Sequence, residues 1–260
     1  MSDMAASADG FERSTIALDG IDTVVHTIGC GTPVVYFHGG GTFHGFDWAR
    51  DWADRFRVVL PHHPNFGDSG DADFAGLADY ADHYARLFAA LGLDRVGLVG
   101  ASLGGFLAAI VAATHPAVVE RLVLVSPAGL SAPDVAMPAL GALSHDQLGA
   151  AFVSDPAWIA PFWPDEPDAA WIALRAREQA AALRARAGTD EAWFRAQLPR
   201  LAAPTLLLWG EDDRIIPLAL VEAWLAALPH ASLETIARGS HLLLDEFAEA
   251  REVAARFLAG

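Results

Sequence analysis

Three residues suited to be nucleophile, base and acid lie far apart in this 260-residue chain. Ser102 stands in Gly-Ala-Ser-Leu-Gly (100–104), Asp213 ends Trp-Gly-Glu-Asp-Asp (209–213), and His241 follows Gly239-Ser240. A serine hydroxyl attacks carbonyl carbon well only when an imidazole takes its proton and a carboxylate orients that imidazole. Each residue also has a plain reading: small residues at a tight turn, an acid on a solvated turn, a structural histidine. A fourth stretch, His38-Gly39-Gly40-Gly41, frees backbone N–H groups to face a crevice. As a phosphate loop it is weak, because no Gly-Lys-Ser/Thr follows.

The elements that must position these groups can be read from apolar periodicity. Residues 15–29 form a hairpin around Asp19-Gly20. Short apolar runs at 34–37, 58–60, 96–99, 122–125, 205–209 and 232–236 read as strands. Helical patterns at 48–56, 77–91, 103–114, 218–228 and 242–258 alternate with them. Strands that are apolar on both faces, alternating with helices, predict an α/β fold with a mostly parallel, doubly wound sheet. Ser102 then sits on a sharp strand-to-helix turn, where Gly100 and Gly104 relieve crowding and the Leu103 N–H opens a helix with its positive dipole end. The alternation breaks at about 131–198, where prolines crowd beside Trp158, Phe162, Trp163, Trp171, Trp193 and Phe194. That segment is expected to be a helical lid inserted between two strands; extra core helices are the alternative. The domain expectation is one unit, with a core of 1–130 and 199–260.

Composition bounds the function. The chain is 53% hydrophobic and has a formal charge of -16. A nucleic-acid binder needs a basic face, and an anionic membrane repels such a chain. All 17 basic residues are Arg, which excludes lysine chemistry, and the single Cys30 excludes intrachain disulfides and Cys-x-x-Cys metal sites. The polar, acidic N-terminus has no signal-peptide pattern, and no apolar run of about 18 residues could span a bilayer. The expectation is a cytoplasmic monomer or homodimer acting on a small-molecule substrate, with no nucleic-acid or membrane partner.

The order Ser102, Asp213, His241, the His38–Gly41 loop, the Gly100–Gly104 elbow and Trp209-Gly-Glu-Asp-Asp-Arg-Ile-Ile-Pro217 together resemble the α/β-hydrolase family over nearly the whole chain. The resemblance implies Ser102 as nucleophile, His241 as base and Asp213 as orienting acid, with an oxyanion hole of Leu103 and Gly40 or Gly41 N–H groups. The family spacing Gly-x-x-Asp-x-x-x-Pro selects Asp213 over Asp212. Some members carry the acid after the preceding strand, but Ser126-Pro-Ala-Gly129 has none. The 61–70 turn resembles the family's Asp-x-x-Gly-x-Gly-x-Ser, with His62 for Asp and Asn65 for Gly. Asn tolerates a left-handed turn.

These features imply a serine hydrolase cleaving carboxylic esters of small to medium hydrophobic substrates, with no cofactor and no metal. Serine at 102 argues against the carboxylate-nucleophile branches. The triple-Gly loop also resembles C–C bond hydrolases of ring-cleavage products, which usually carry Asn before the serine and Trp after the histidine; Ala101 and Leu242 stand here. A cofactor-free haloperoxidase-like role and a non-catalytic receptor on the same fold stay open. Trp158, Phe162, Trp163 and Trp171 are expected to line an apolar pocket above Ser102. His44 and His145 border the pocket or lie in surface loops. His62-His63 is a weak metal pair. Arg175, Arg177, Arg184 and Arg186 read as a solvated helix face or as holders of a substrate carboxylate.

Overall fold

A computed structural model describes residues 5–6, 10–228 and 230–260. Nine strands form one sheet: β1 (Ala5–Ala6), β2 (Glu12–Leu18), β3 (Ile21–Ile28), β4 (Thr32–Phe37), β5 (Phe56–Pro61), β6 (Val96–Ala101), β7 (Val119–Val125), β8 (Thr205–Gly210) and β9 (Ser232–Ile236). Their order is β1-β2-β3-β5-β4-β6-β7-β8-β9. β1, β2, β3 and β5 pair antiparallel in turn; every pair from β5 across to β9 is parallel. The predicted hairpin turns at Asp19 (φ 53°) and Gly20 (φ 82°), the two left-handed residues that match the twist of its strands.

The helices are α1 (Leu77–Ala90), α2 (Leu103–Thr114), α3 (His145–Phe152), α4 (Pro156–Ile159), α5 (Ala169–Ala187), α6 (Glu191–Gln197), α7 (Val221–Ala227), α8 (Leu243–Glu246) and α9 (Ala248–Ala259). α1, α2 and α7 share one core with one sheet face, and α8 and α9 share a second core with the other. All six residues of β8 are buried, as a strand covered on both sides requires.

Three predicted helices change form. Residues 48–56 hold only a 3-10 turn, Asp47–Trp52, because Phe56 is drawn into the ladder opposite Thr32. Residues 218–228 open with a 3-10 turn, Leu218–Leu220, before α7. Residues 242–258 break at Phe247, whose extended backbone (φ -112°, ψ 108°) separates α8 from α9.

The segment between β7 and β8 is helical, but it serves two roles. Phe194 of α6 is fully buried against Phe106 and Trp224 in the main core. α3 to α5 lie over the loops that follow the parallel strands. The Arg214 guanidinium donates to the Ala150 and Val153 carbonyls, and the Leu242 N–H donates to the Phe152 carbonyl. Among the described residues no helix is long and apolar enough to cross a membrane.

Candidate active site

Ser102 joins β6 to α2 with φ 53° and ψ -118°. A non-glycine residue holds such a backbone only when its surroundings over-determine it. Here the Ser102 N–H donates to the Val125 carbonyl, and its own carbonyl accepts from the Phe106 and Ala128 N–H groups. A side chain at Gly100 would overlap the Gly104 carbonyl and Ala108, and one at Gly104 would overlap the Phe37 and His38 carbonyls. Glycine therefore lets the turn form and lets α2 lie against the His38 loop.

Asp213 lies in the turn after β8. Its Oδ1 accepts from the Ile215 and Ile216 N–H groups, both at 2.8 Å, and its Oδ2 stands 2.9 Å from His241 Nδ1. The buried Trp209 indole closes the same turn by donating to the Ile216 carbonyl. Burial alone would raise the Asp213 carboxyl, but the His241 ring and the backbone N–H groups hold it below its usual value. Asp212 is exposed, so of the two adjacent acids it is Asp213 whose side chain reaches His241. Ser102 and His241 line one cavity of about 190 Å³ together with Gly39, Gly40 and Gly41. A Cβ added to Gly39 would come 3.3 Å from Ser102 Cβ, so the glycine loop lies directly over the serine. Leu103 does not line that cavity; it adjoins Ser102 at the first position of α2, where a backbone N–H has no intrahelical acceptor.

The glycine loop is anchored from behind by histidines. The His63 N–H donates to His38 Nε2, and His63 Nε2 donates to the His38 carbonyl, both at 3.0 Å. His63 Nδ1 stands 2.5 Å from the Tyr84 hydroxyl. Both ring nitrogens of His63 are thus occupied, which dissolves the His62-His63 metal pair. His26, His62 and Asp68 do bring donor atoms within 4.8 Å of one another. His62 Nδ1, however, accepts the Asp68 N–H, leaving the ring proton on Nε2. Asn65 takes the left-handed conformation (φ 72°) expected at its turn position, and its side-chain amide bonds both the N–H and the carbonyl of Ala72.

Burial lowers His63 to about 3 and His62 to about 4, and holds His38 well below its ordinary value. All three are neutral in the fold, while the unfolded chain titrates them near 6.5. Below that pH the unfolded state takes up protons that the native state cannot, so stability falls as pH drops from about 6.5 toward 4. The expected result is a thermal midpoint level above pH 7 and lower by roughly 10 °C or more at pH 4.5. His62→Gln should flatten part of that slope; an unchanged slope would show that these rings do not carry it.

Residues 34–256 match the alpha/beta hydrolase family. The chain belongs to that family. It is 29% identical over 252 residues to 2-hydroxy-6-oxo-6-phenylhexa-2,4-dienoate hydrolase of Burkholderia cepacia, covering 85% of each chain. Two solved structures share the family fold at lower identity. The enzyme of the same name from Rhodococcus sp. strain RHA1 superposes with a TM-score of 0.78 at 18% identity over 100% of both chains. Naproxen esterase from Bacillus subtilis superposes with a TM-score of 0.72 at 20% identity, over 95% of this chain and 91% of that one. The chain is thus an α/β-fold hydrolase, and the matched region takes in Ser102, Asp213 and His241.

The expected roof of this family site needs correction. None of Trp158, Phe162, Trp163 and Trp171 lines the cavity. Trp163 packs on Phe43 (5.2 Å), Phe152 (5.8 Å) and Trp171 (5.2 Å). Its indole donates to the His145 carbonyl, and that of Trp171 to the Phe162 carbonyl. Their polar edges are thus satisfied inside the insertion. The rings form a layer behind Phe43 and Phe152, which do face the cavity. His145 bonds the Pro164 carbonyl and lies off the cavity, whereas His44 lines it.

The four arginines of α5 also divide. Arg184 and Arg186 are exposed, as a solvated face predicts. Arg177 donates to Asp71 and to the Gly67 and Ser69 carbonyls. Arg175 lines the cavity, lies 4.6 Å above the Phe43 ring and pairs with Glu178 at 3.0 Å. Glu178 is wholly buried, and its Oε1 accepts from the Thr42 N–H and hydroxyl and from the Gly67 N–H. Glu178 carries almost no signal in the sequence. A lone acid in an Arg/Ala-rich helix looks solvated, and only its spacing of three from Arg175 hinted at a pair.

Proposed function

We propose that this hydrolase cleaves carboxylic esters with small acyl groups through an acyl-enzyme on Ser102. One observation carries the reading: Ser102 is held at a strained left-handed turn on a cavity wall shared with His241, whose other side is bonded to buried Asp213. In this scheme Ser102 Oγ bonds the acyl carbon while His241 Nε2 takes its proton. The tetrahedral oxyanion is stabilised by the N–H groups of Leu103 and of Gly40 or Gly41. The C–O bond to the alcohol then breaks, and His241 returns the proton to the leaving oxygen. Water repeats the sequence to free the acid. A cavity of about 190 Å³ lies below the roughly 300–1,000 Å³ of sites for drug-sized ligands. Its apolar walls, among them Val125, Phe152, Ile215 and Leu242, suit a short acyl chain.

Arg175 favours a second reading. A guanidinium in the wall beside the glycine loop suits a substrate carboxylate, and the Burkholderia relative is named for a dienoate. C–C bond hydrolysis of an acid-bearing ring-cleavage product is therefore the alternative chemistry for the same serine.

A fluorophosphonate probe should label wild-type protein at Ser102 and leave Ser102→Ala unlabelled. Across p-nitrophenyl acetate to octanoate, kcat/KM should peak at a short chain and fall once the cavity is full. Turnover of a 2-hydroxy-6-oxo-dienoate above that of the best ester would replace the ester reading with the second one. In that case Arg175→Met should raise KM for the dienoate at least tenfold. Absence of labelling at Ser102 would remove both readings.

A further inference from the structure

The cavity contains a second carboxylate–imidazole pair that the acyl-enzyme scheme leaves unused. His44 Nδ1 and Asp245 Oδ1 are 3.0 Å apart, and each side chain is 5% exposed. Both residues line the cavity that holds Ser102 and His241. His44 belongs to the loop that continues from Gly41, and Asp245 lies on α8, four residues after His241. The pair repeats the arrangement of His241 with Asp213: a carboxylate on Nδ1, the other nitrogen left over.

The tautomer follows from that bond. A carboxylate accepts only, so Nδ1 carries the proton and the Nε2 of a neutral ring is an acceptor. No other described residue bonds His44 Nε2. Nor does Asp245 serve another ion pair among the described residues. The nearby Arg251 directs its Nε to Asp51 and its Nη1 to the Leu244 and Asp245 carbonyls rather than to the Asp245 side chain. A carboxylate kept in the wall of a small, largely apolar cavity is a standing desolvation penalty. A pair whose only task was to tie the loop to α8 would not need to face that cavity. Tyr36, in the same wall, adds a phenol that burial and the Asp245 charge keep protonated.

We infer that His44, oriented by Asp245, is a specificity-determining residue whose Nε2 accepts the O–H of a hydroxyl carried by the substrate. The preferred substrates are then hydroxylated esters, not plain alkanoates. The inference rests on the serine-hydrolase reading for turnover but not for binding.

The test compares ethyl butanoate with ethyl 2-hydroxybutanoate, ethyl 3-hydroxybutanoate and 2-hydroxyethyl butanoate in a pH-stat assay. Wild type should prefer at least one hydroxylated ester by roughly tenfold or more in kcat/KM, because a site built to bond an O–H discriminates against the analogue without it. His44→Phe and Asp245→Asn should bring that ratio close to one, and His44→Gln, which keeps an acceptor, should restore part of it. A thermal midpoint for each variant checks folding, and the ratio itself is insensitive to general damage. Wild type without a preference, or His44→Phe with its preference intact, would overturn the inference. So would losses of equal factor on plain and hydroxylated esters, the mark of a purely structural clamp. If no ester is turned over and Ser102 is not labelled, the serine-hydrolase reading fails by itself. The same esters titrated calorimetrically into Ser102→Ala then give the ratio as Kd values, with the same outcomes deciding.

Discussion

Ser102→Ala and His241→Gln should each lower kcat by roughly 10⁴- to 10⁶-fold, and the double variant should lose little beyond the worse single one. Proton transfer and attack are one event in the proposed scheme, so removing either partner removes both. The alanine keeps the left-handed backbone at 102 without adding bulk, and glutamine occupies much of the imidazole space beside Asp213. Both variants should therefore keep the wild-type circular dichroism spectrum and a thermal midpoint within a few degrees. The measurement is single-turnover release of p-nitrophenol with active-site titration. Losses that simply multiply, or an active Ser102→Ala, would show that the chemistry runs elsewhere.

Asp213→Asn should lower kcat on the order of 10⁴-fold, and Asp212→Asn by no more than a few-fold. Asp213 Oδ1 already accepts two backbone N–H groups and its Oδ2 faces His241 Nδ1. An asparagine there keeps its oxygen on the two N–H groups, so its NH₂ must point at the ring. Nδ1 then has to accept, the ring proton moves to Nε2, and that nitrogen can no longer take the serine proton. Asp212 is exposed and contributes its backbone N–H to the Gly239 carbonyl, a bond that the substitution leaves alone. The comparison needs only steady-state kinetics on the best ester. If Asp212→Asn is the crippling change, the orienting acid has been misassigned by one residue.

The parts of this molecule that were legible in the sequence are those whose geometry is set within a few residues. The Asp19-Gly20 hairpin, the strained Ser102 turn with its flanking glycines, the Asp213 turn closed by Ile215 and Ile216, and α2 at Leu103–Thr114 all follow from local φ/ψ demands and short-range hydrogen bonds. The strand–helix alternation then brings the Ser102 turn, the Asp213 turn and the His241 loop to the same end of the sheet, because parallel strands all deliver their C-terminal loops there. Local signals of this kind are enough for the fold class and for naming a candidate serine, acid and histidine. What surrounds those three residues comes from contacts between distant segments. The His44–Asp245 pair joins positions 201 residues apart, and Glu178 reaches Thr42 across 136; neither contact has a local signature in its own segment. The insertion's aromatic composition was equally visible, but not which way its rings would face. That depended on where the indole N–H groups found carbonyls, and Trp163 and Trp171 found them at His145 and Phe162, inside the insertion. A helix that is polar and apolar by turns, such as α5, does not declare which arginine will be buried. Docking against the Gly41 loop, with a buried carboxylate one turn away, put Arg175 in the cavity wall and left Arg184 and Arg186 in water.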